Sequence, residues 1–303
     1  MGNKRFGEIL DFLASSENAF LVHLYPAIDP GLDSRIEEMI KRHAVIRYKE
    51  EVRLTRRGLV NCKKISYGRQ GDWIGNLQDG FFGLRKHAKK SIRGRNAPTR
   101  VYVVEAKNIA EMVALKAEIR ELIGKGTWPC HITDTYEEAL TLGRIYFNPN
   151  ALLVYNGRSH VYDSSEFDAR VDELKRRLQE AGLPLEGIVG AGSTPFGVAG
   201  IRKTKDFDYL ALDERYDQAI HDEMYSPHDS QLRRYPAPKE VLINDSDYHF
   251  YYRGMKFISL DVLARMKRKR HEWPKDWKDF FRVKWFVAKT GLLRLLSAWR
   301  YVI

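Results

Sequence analysis

The 303-residue sequence predicts an α/β chain of the mixed α+β kind, divided into two domains at about residue 155. Two observations carry this. Strand-like and helix-like segments alternate through the first half, and 44% hydrophobic residues with 12% aromatics supply enough apolar surface for a real core. Ala19 to Tyr25 is a strand candidate, Leu32 to His43 a helix, Ala44 to Leu54 a strand and Arg100 to Glu105 another strand. Ile109 to Leu122 and Thr135 to Phe147 have helical periodicity, the second following a cap at Asp134 or Thr133. The loop-rich Asn148-Pro149-Asn150-Ala151 then leads through Val154 to Arg158 into a charged helix from Ser165 to Ala181. The expected domains are therefore residues 1–155 and 156–303.

Several classes are excluded at once. No apolar stretch approaches the about 18 to 20 residues needed to cross a bilayer, and the N-terminal residues lack the apolar run of a secretory signal, so a cytoplasmic protein is expected. Cys62 and Cys130 are too few for a disulfide framework or a cysteine metal site. The formal charge of +11 is unevenly placed: from Arg253 onward there are fourteen Lys and Arg against four Asp and Glu, leaving 37 against 36 before it. This basic segment, which includes Lys275, Lys278, Arg282 and Arg300, is interleaved with Trp273, Trp277, Phe281, Trp285 and Trp299. It suits a polyanion or a peripheral position on an anionic membrane surface. Helices packing an aromatic face on the core and solvating a cationic one explain the same pattern. Nucleic acid stays among the partner classes on charge alone, without a recognised nucleic-acid motif.

The most informative segment runs from Gly190 through Gly192-Ser193 to Asp206-Phe207-Asp208. On an extended strand Asp206 and Asp208 emerge on one face while Phe207 points into the core. Two neighbouring carboxylates repel unless a divalent cation lies between them, and magnesium favours one or two carboxylates completed by phosphate oxygens. Gly192 and Ser193 are expected to bring backbone N–H groups and a hydroxyl toward a phosphate chain.

These residues resemble the polymerase β-like nucleotidyltransferase superfamily, whose pattern of a Gly-Ser turn, a short helix and a strand carrying Asp-x-Asp is matched by Gly192, Ser193, Asp206 and Asp208. A second block, Gly254 to Arg270 followed by Lys275-Asp276, is similar to the family's later strand, Ser-Leu helix and Lys-Asp element, so the resemblance covers about residues 185 to 285. It implies a short mixed sheet followed by C-terminal helices. It also implies Mg2+ or Mn2+ on Asp206 and Asp208, a nucleoside triphosphate neutralised by Lys203, Lys205 or Lys267, and transfer of a nucleoside monophosphate to a hydroxyl or phosphate of a small acceptor. The family's third carboxylate is expected on the strand Tyr248 to Tyr252, where His249 stands, with Asp245 and Asp247 nearby. Two alternatives stay open: a glycosyltransferase using Asp206 and Asp208 as a metal–nucleotide clamp, and a catalytically inactive nucleotide- or polyanion-binding module. The order of His131-Ile132-Thr133-Asp134-Thr135, Phe147-Asn148 with Asn150, and then the Gly-Ser and Asp-Phe-Asp block is also similar, over most of the chain, to uncharacterised and multidomain glycosyltransferase-like proteins of bacterial surface-polysaccharide gene clusters, which implies a sugar or polyol precursor as acceptor.

In the first half, the glycine-rich segment from Tyr67 to Gly80 precedes the basic residues Arg85, Lys86, Lys89, Lys90, Arg93 and Arg95, a phosphate-binding composition without the spacing of a known phosphate loop. Lys116 and Arg120, one helical turn apart, precede Lys125, His131 and Asp134. These five form either an acid–base and anion-holding group for the acceptor or a buried strand-end histidine beside a helix cap.

Overall fold

A computed structural model of the chain describes residues 2–68, 72–76, 78–92, 97–159 and 165–299. Arg93, Arg95 and Arg300 of the basic runs, and part of the glycine-rich segment, lie outside the described residues. The α/β (α+β) class holds, in two compact units: Met1–Phe147 with Leu292–Ile303, and Asn148–Gly291. The division thus falls after Phe147 rather than at 155, and the last residues group with the first unit.

In the first unit β1 (Ala19–Leu24), β2 (Ala44–Val52), β3 (Thr99–Ala106) and β4 (Cys130–Ile132) form one sheet in the order β2-β3-β1-β4, with every neighbouring pair antiparallel. Helix Asp33–His43 joins β1 to β2 across β3, and helix Ile109–Ile123 joins β3 to β4 across β1. That is the split β-α-β connection made twice. Strand alternation sends Phe20, Val22 and Leu24 of β1, with Cys130 and Ile132 of β4, into the core under these two helices. The cross-strand partners His23 and His131 go to the opposite face, their rings 5.6 Å apart. Helices Arg56–Tyr67 and Tyr136–Tyr146 supply rings to that face, with Tyr146 5.0 Å from His23 and Tyr67 5.1 Å from His131. Helix Tyr136–Tyr146 is capped by Thr135, whose side chain accepts the Glu138 N–H at 3.1 Å, rather than by Asp134 or Thr133.

His23 makes a pH prediction. It is fully buried with neither ring nitrogen hydrogen-bonded among the described residues, and burial, reinforced by the neighbouring His131, holds its pKa well below the usual histidine value. Unfolded, it gains a proton near pH 6.5; folded, it does not, so below about pH 6.5 the unfolded state binds more protons and stability falls as pH falls. His23 is expected to cost about 2 kcal/mol between pH 8 and pH 5 at about 1.4 kcal/mol per pH unit. Urea midpoints at the two pH values check this, because His23→Leu should flatten the slope; an unchanged slope would assign the acid sensitivity elsewhere.

In the second unit β5 (Ile188–Gly190), β6 (Phe207–Ala211), β7 (Tyr225–Pro227), β8 (His249–Tyr252) and β9 (Met255–Ile258) form a mixed sheet in the order β7-β6-β5-β9-β8. β5 is antiparallel to β6 and parallel to β9, while β7 runs parallel to β6. The β8–β9 hairpin closes through Arg253 and Gly254, both at positive φ, 52° and 81°. A two-residue turn with this pair of angles matches the twist of its strands. Helices Leu260–Arg270 and Lys275–Trp299 follow the sheet. No helix among the described residues is long and apolar enough to cross a membrane.

Candidate functional site

The turn after β5 and the start of β6 are built around one carboxylate. Asp208 Oδ2 accepts the Ser193 N–H at 3.0 Å, its backbone oxygen accepts the Ala191 N–H at 2.8 Å and the Thr194 hydroxyl at 3.0 Å, and Oδ1 lies 3.4 Å from the Ser226 hydroxyl. Gly192 has φ +53°, and a Cβ there would stand 2.1 Å from Asp208 Oδ2. Only glycine tolerates both that backbone and that approach. The Gly192 N–H is taken by the Tyr235 hydroxyl at 3.0 Å, and that hydroxyl in turn donates to His228 Nδ1 at 3.0 Å. Burial holds His228 below the ordinary histidine pKa, which suits a neutral acceptor.

Two sequence expectations need revising here. The N–H groups of Gly192 and Ser193 are already bonded within the protein, so the turn backbone is not free for a phosphate, and Ser193 lines a cavity. Asp206 stands one residue ahead of β6, exposed, while Phe207 is fully buried in the core and Asp208 is half-buried. The i, i+2 spacing nevertheless sets both acids around Ser193: Asp208 bonds its N–H, and Asp206 lines a cavity with it.

That cavity, about 550 Å³, is where the basic residues converge. Arg202, Lys203, Lys205, Lys275, Lys278 and Arg282 line it against only two acids, Asp206 and Asp279. Lys203, Lys205, Lys275 and Lys278 have no acidic partner among the described residues, whereas Arg202 grips Asp279 at 3.1 and 3.0 Å. A concave surface with this surplus draws a polyanion. Asp206 is exposed amid these cations.

Lys267 is not at the cavity surface. It is 2% exposed, 3.3 Å from Asp276 and 3.6 Å from Asp279, and Arg270 clasps Asp276 at 2.8 and 2.6 Å. Burial pushes both carboxyls up, but Arg270 on Asp276 and Arg202 on Asp279 outweigh it and hold both below the usual range. The Lys267–Arg270 and Asp276–Asp279 spacings thus form a buried ion network that fixes the start of helix Lys275–Trp299, and with it Lys275, Lys278 and Arg282. Breaking one partner of such a network is destabilising because it strands a buried charge.

His249 is corrected outright. It lies on β8 at the far edge of the sheet, three strands from β6, roughly 14 Å at about 4.8 Å per strand. It is 2% exposed, its Nδ1 is 3.2 Å from the Leu242 carbonyl, and it belongs to the core. Asp245 and Asp247 lead into the same edge strand; Asp245 accepts the Asp247 N–H at 2.9 Å, so neither supplies the third acid. The residue in register with Asp208 on the adjoining β7 is Ser226. The histidine beside the site is His228, which follows β7 and which the sequence reading passed over because its place depends on the pairing of a three-residue strand.

The residues singled out in the first half separate into two sets. Lys116, Arg120 and Asp134 line a second cavity of about 540 Å³ with Tyr67, Trp73 and His87. Lys116 donates to Asp134 at 2.7 Å and to the Ile132 carbonyl at 3.0 Å. His131 lies behind the cavity, fully buried and 2.7 Å from Glu138, and Lys125 is exposed away from its lining. Among the described residues no three His, Cys, Asp or Glu side chains converge as a metal cage. No family model, curated protein or solved structure matches the chain.

Proposed function

We propose that the second unit binds a nucleoside triphosphate with a divalent cation and transfers the nucleoside monophosphate to a hydroxyl or phosphate of a small acceptor. The observation that carries this reading is the Asp208 carboxylate seated against side-chain-free Gly192 and locked by the Ser193 N–H, beside a cavity where Asp206 meets six cationic side chains. The donor set fits Mg2+ or Mn2+: two carboxylates give hard oxygen ligands, and phosphate oxygens and water complete the shell. Asp206 and Asp208 would hold the ion, which supplies charge neutralisation at the phosphate when bound.

The remaining roles belong to the chain itself. Lys203, Lys205, Lys275 and Lys278 orient the phosphate chain and offset charge developing on the leaving pyrophosphate. The Ser193 hydroxyl adds a donor at the wall of the same cavity. Tyr235 and His228 brace the turn from behind by holding the Gly192 N–H. Asp206 has no hydrogen bond among the described residues, which leaves its carboxylate oxygens for the ion.

A second reading, a nucleotide-binding module without turnover, is favoured because the strand on which the resemblance implies a third acid carries the buried His249 at the sheet edge, while the residue in register with Asp208 on β7 is Ser226. Assay of the full chain with each nucleoside triphosphate, Mg2+ and a mixture of sugar and polyol acceptors separates the two. Metal-dependent release of pyrophosphate supports transfer, metal-dependent binding without release supports the module, and consumption of a nucleotide sugar with no effect of triphosphate contradicts both.

A further inference from the structure

The cavity of the first unit has no role in the chemistry above, yet it is lined as a binding site. Tyr67, Trp73 and His87 form one wall, with ring centroids 5.3 to 5.7 Å apart. Lys116 and Arg120, one turn apart on helix Ile109–Ile123, supply the charge. The notable feature is unmet hydrogen bonding. Tyr67 is only 7% exposed, and among the described residues its hydroxyl, Arg120 Nε and His87 Nδ1 have no hydrogen-bond partner. Just behind them His131 Nδ1 and the fully buried Lys63 Nζ also have no hydrogen bond among the described residues, although the ammonium lies 3.7 Å over the Tyr25 ring. Buried polar groups left this way cost stability, and three of them belong to residues that line this cavity, Tyr67, His87 and Arg120, where a ligand can complete them.

The unpaired groups also define the ligand. Arg120 Nε–H and the spare proton of the Lys116 ammonium only donate, and the Tyr67 hydroxyl prefers to donate beside them, so the partner is rich in acceptor oxygens. A guanidinium beside an ammonium favours a phosphate, whose three terminal oxygens accept from all of these at once. The exposed Trp73 face and the Tyr67 ring offer a surface for stacking, and about 540 Å³ lies within the usual range for a small-molecule site.

We propose that the first unit binds a phosphomonoester carried on a small ring, the ring against Trp73 and Tyr67 and the oxyanion between Arg120 and Lys116. This assignment is independent of the reading of the second unit, since every residue it uses belongs to the first. Calorimetric titration of the full chain with inorganic phosphate, glucose, glucose phosphate and adenosine monophosphate tests it. Saturable binding of at least one ester, about tenfold or more tighter than inorganic phosphate, with none for glucose, is expected. Arg120→Met should weaken the ester by about tenfold or more, the scale of a charged hydrogen bond. Tyr67→Phe should weaken it by about threefold or more without lowering the melting temperature of the free protein, because the free hydroxyl has no partner to lose. Asp206→Asn should leave the affinity unchanged. Whichever ester binds more tightly identifies a sugar or a nucleotide as the source of the phosphate. Inorganic phosphate binding as tightly as either ester, no saturation by any probe, or loss of binding in Asp206→Asn but not in Arg120→Met would overturn the proposal. A Tyr67→Phe variant that melts earlier and binds normally would do the same.

Discussion

Asp208→Asn is expected to leave the second unit folded and to lower metal-dependent pyrophosphate release by about three orders of magnitude or more, about 4 kcal/mol of transition-state stabilisation. The fold should survive because the asparagine oxygen can still accept the Ser193 N–H now bonded at 3.0 Å, and Thr194 and Ala191 bond the backbone oxygen of residue 208 rather than its side chain. What disappears is the charge beside Asp206. Steady-state pyrophosphate release together with a melting curve separates these outcomes: a variant that melts normally and turns over normally would remove Asp208 from the chemistry.

Gly192→Ala should be more damaging than its single methyl suggests. A non-glycine residue at φ +53° costs about 1 to 2 kcal/mol, and forcing a methyl into a filled space costs about 1 to 3 kcal/mol more. The clash is with Asp208 itself, whose Oδ2, Cγ and Cβ would lie 2.1, 2.5 and 2.7 Å from the new carbon. The substitution is therefore expected both to destabilise the unit by a few kcal/mol and to displace the carboxylate, abolishing pyrophosphate release. In a denaturation-based double-mutant cycle, Asp208→Ala should recover part of the lost stability, because it removes two of the three clashing atoms. Strict additivity of the two substitutions would mean that the glycine is needed for its backbone alone.

The parts of this architecture written in local periodicity were legible. β1, β3 and helices Asp33–His43, Ile109–Ile123 and Tyr136–Tyr146 fall close to the ranges expected from two- and 3.6-residue patterns. The placement of the Gly192–Ser193 turn against Asp208 was likewise legible, because turn and strand chemistry is local. The domain boundary, expected at about residue 155, falls nearby at Asn148, which reads as part of a loop. Its side chain caps helix Pro149–Gly157 by accepting the Asn150 and Ala151 N–H groups, and its amide donates to the Ser246 and His249 carbonyls, which ties that helix to the second unit. Asparagine followed by proline at the first helical position is a start signal that was present in the sequence. His249 failed for a different reason: sequence order does not give strand order, and β9 enters beside β5, leaving β8 at the edge. Lys267 was misplaced because its acidic partners lie on the following helix, where only the fold reveals that Asp276 and Asp279 turn back toward it.

Calorimetric titration of nucleoside triphosphate into the full chain, with and without Mg2+, in the native protein and in Asp206→Asn, is the most direct test of whether the Asp206–Asp208 pair and its cationic cavity hold a metal–triphosphate together. Binding of at least one triphosphate that strengthens with Mg2+, and loses that strengthening in Asp206→Asn, is the predicted result. Binding indifferent to both the metal and the substitution would contradict it.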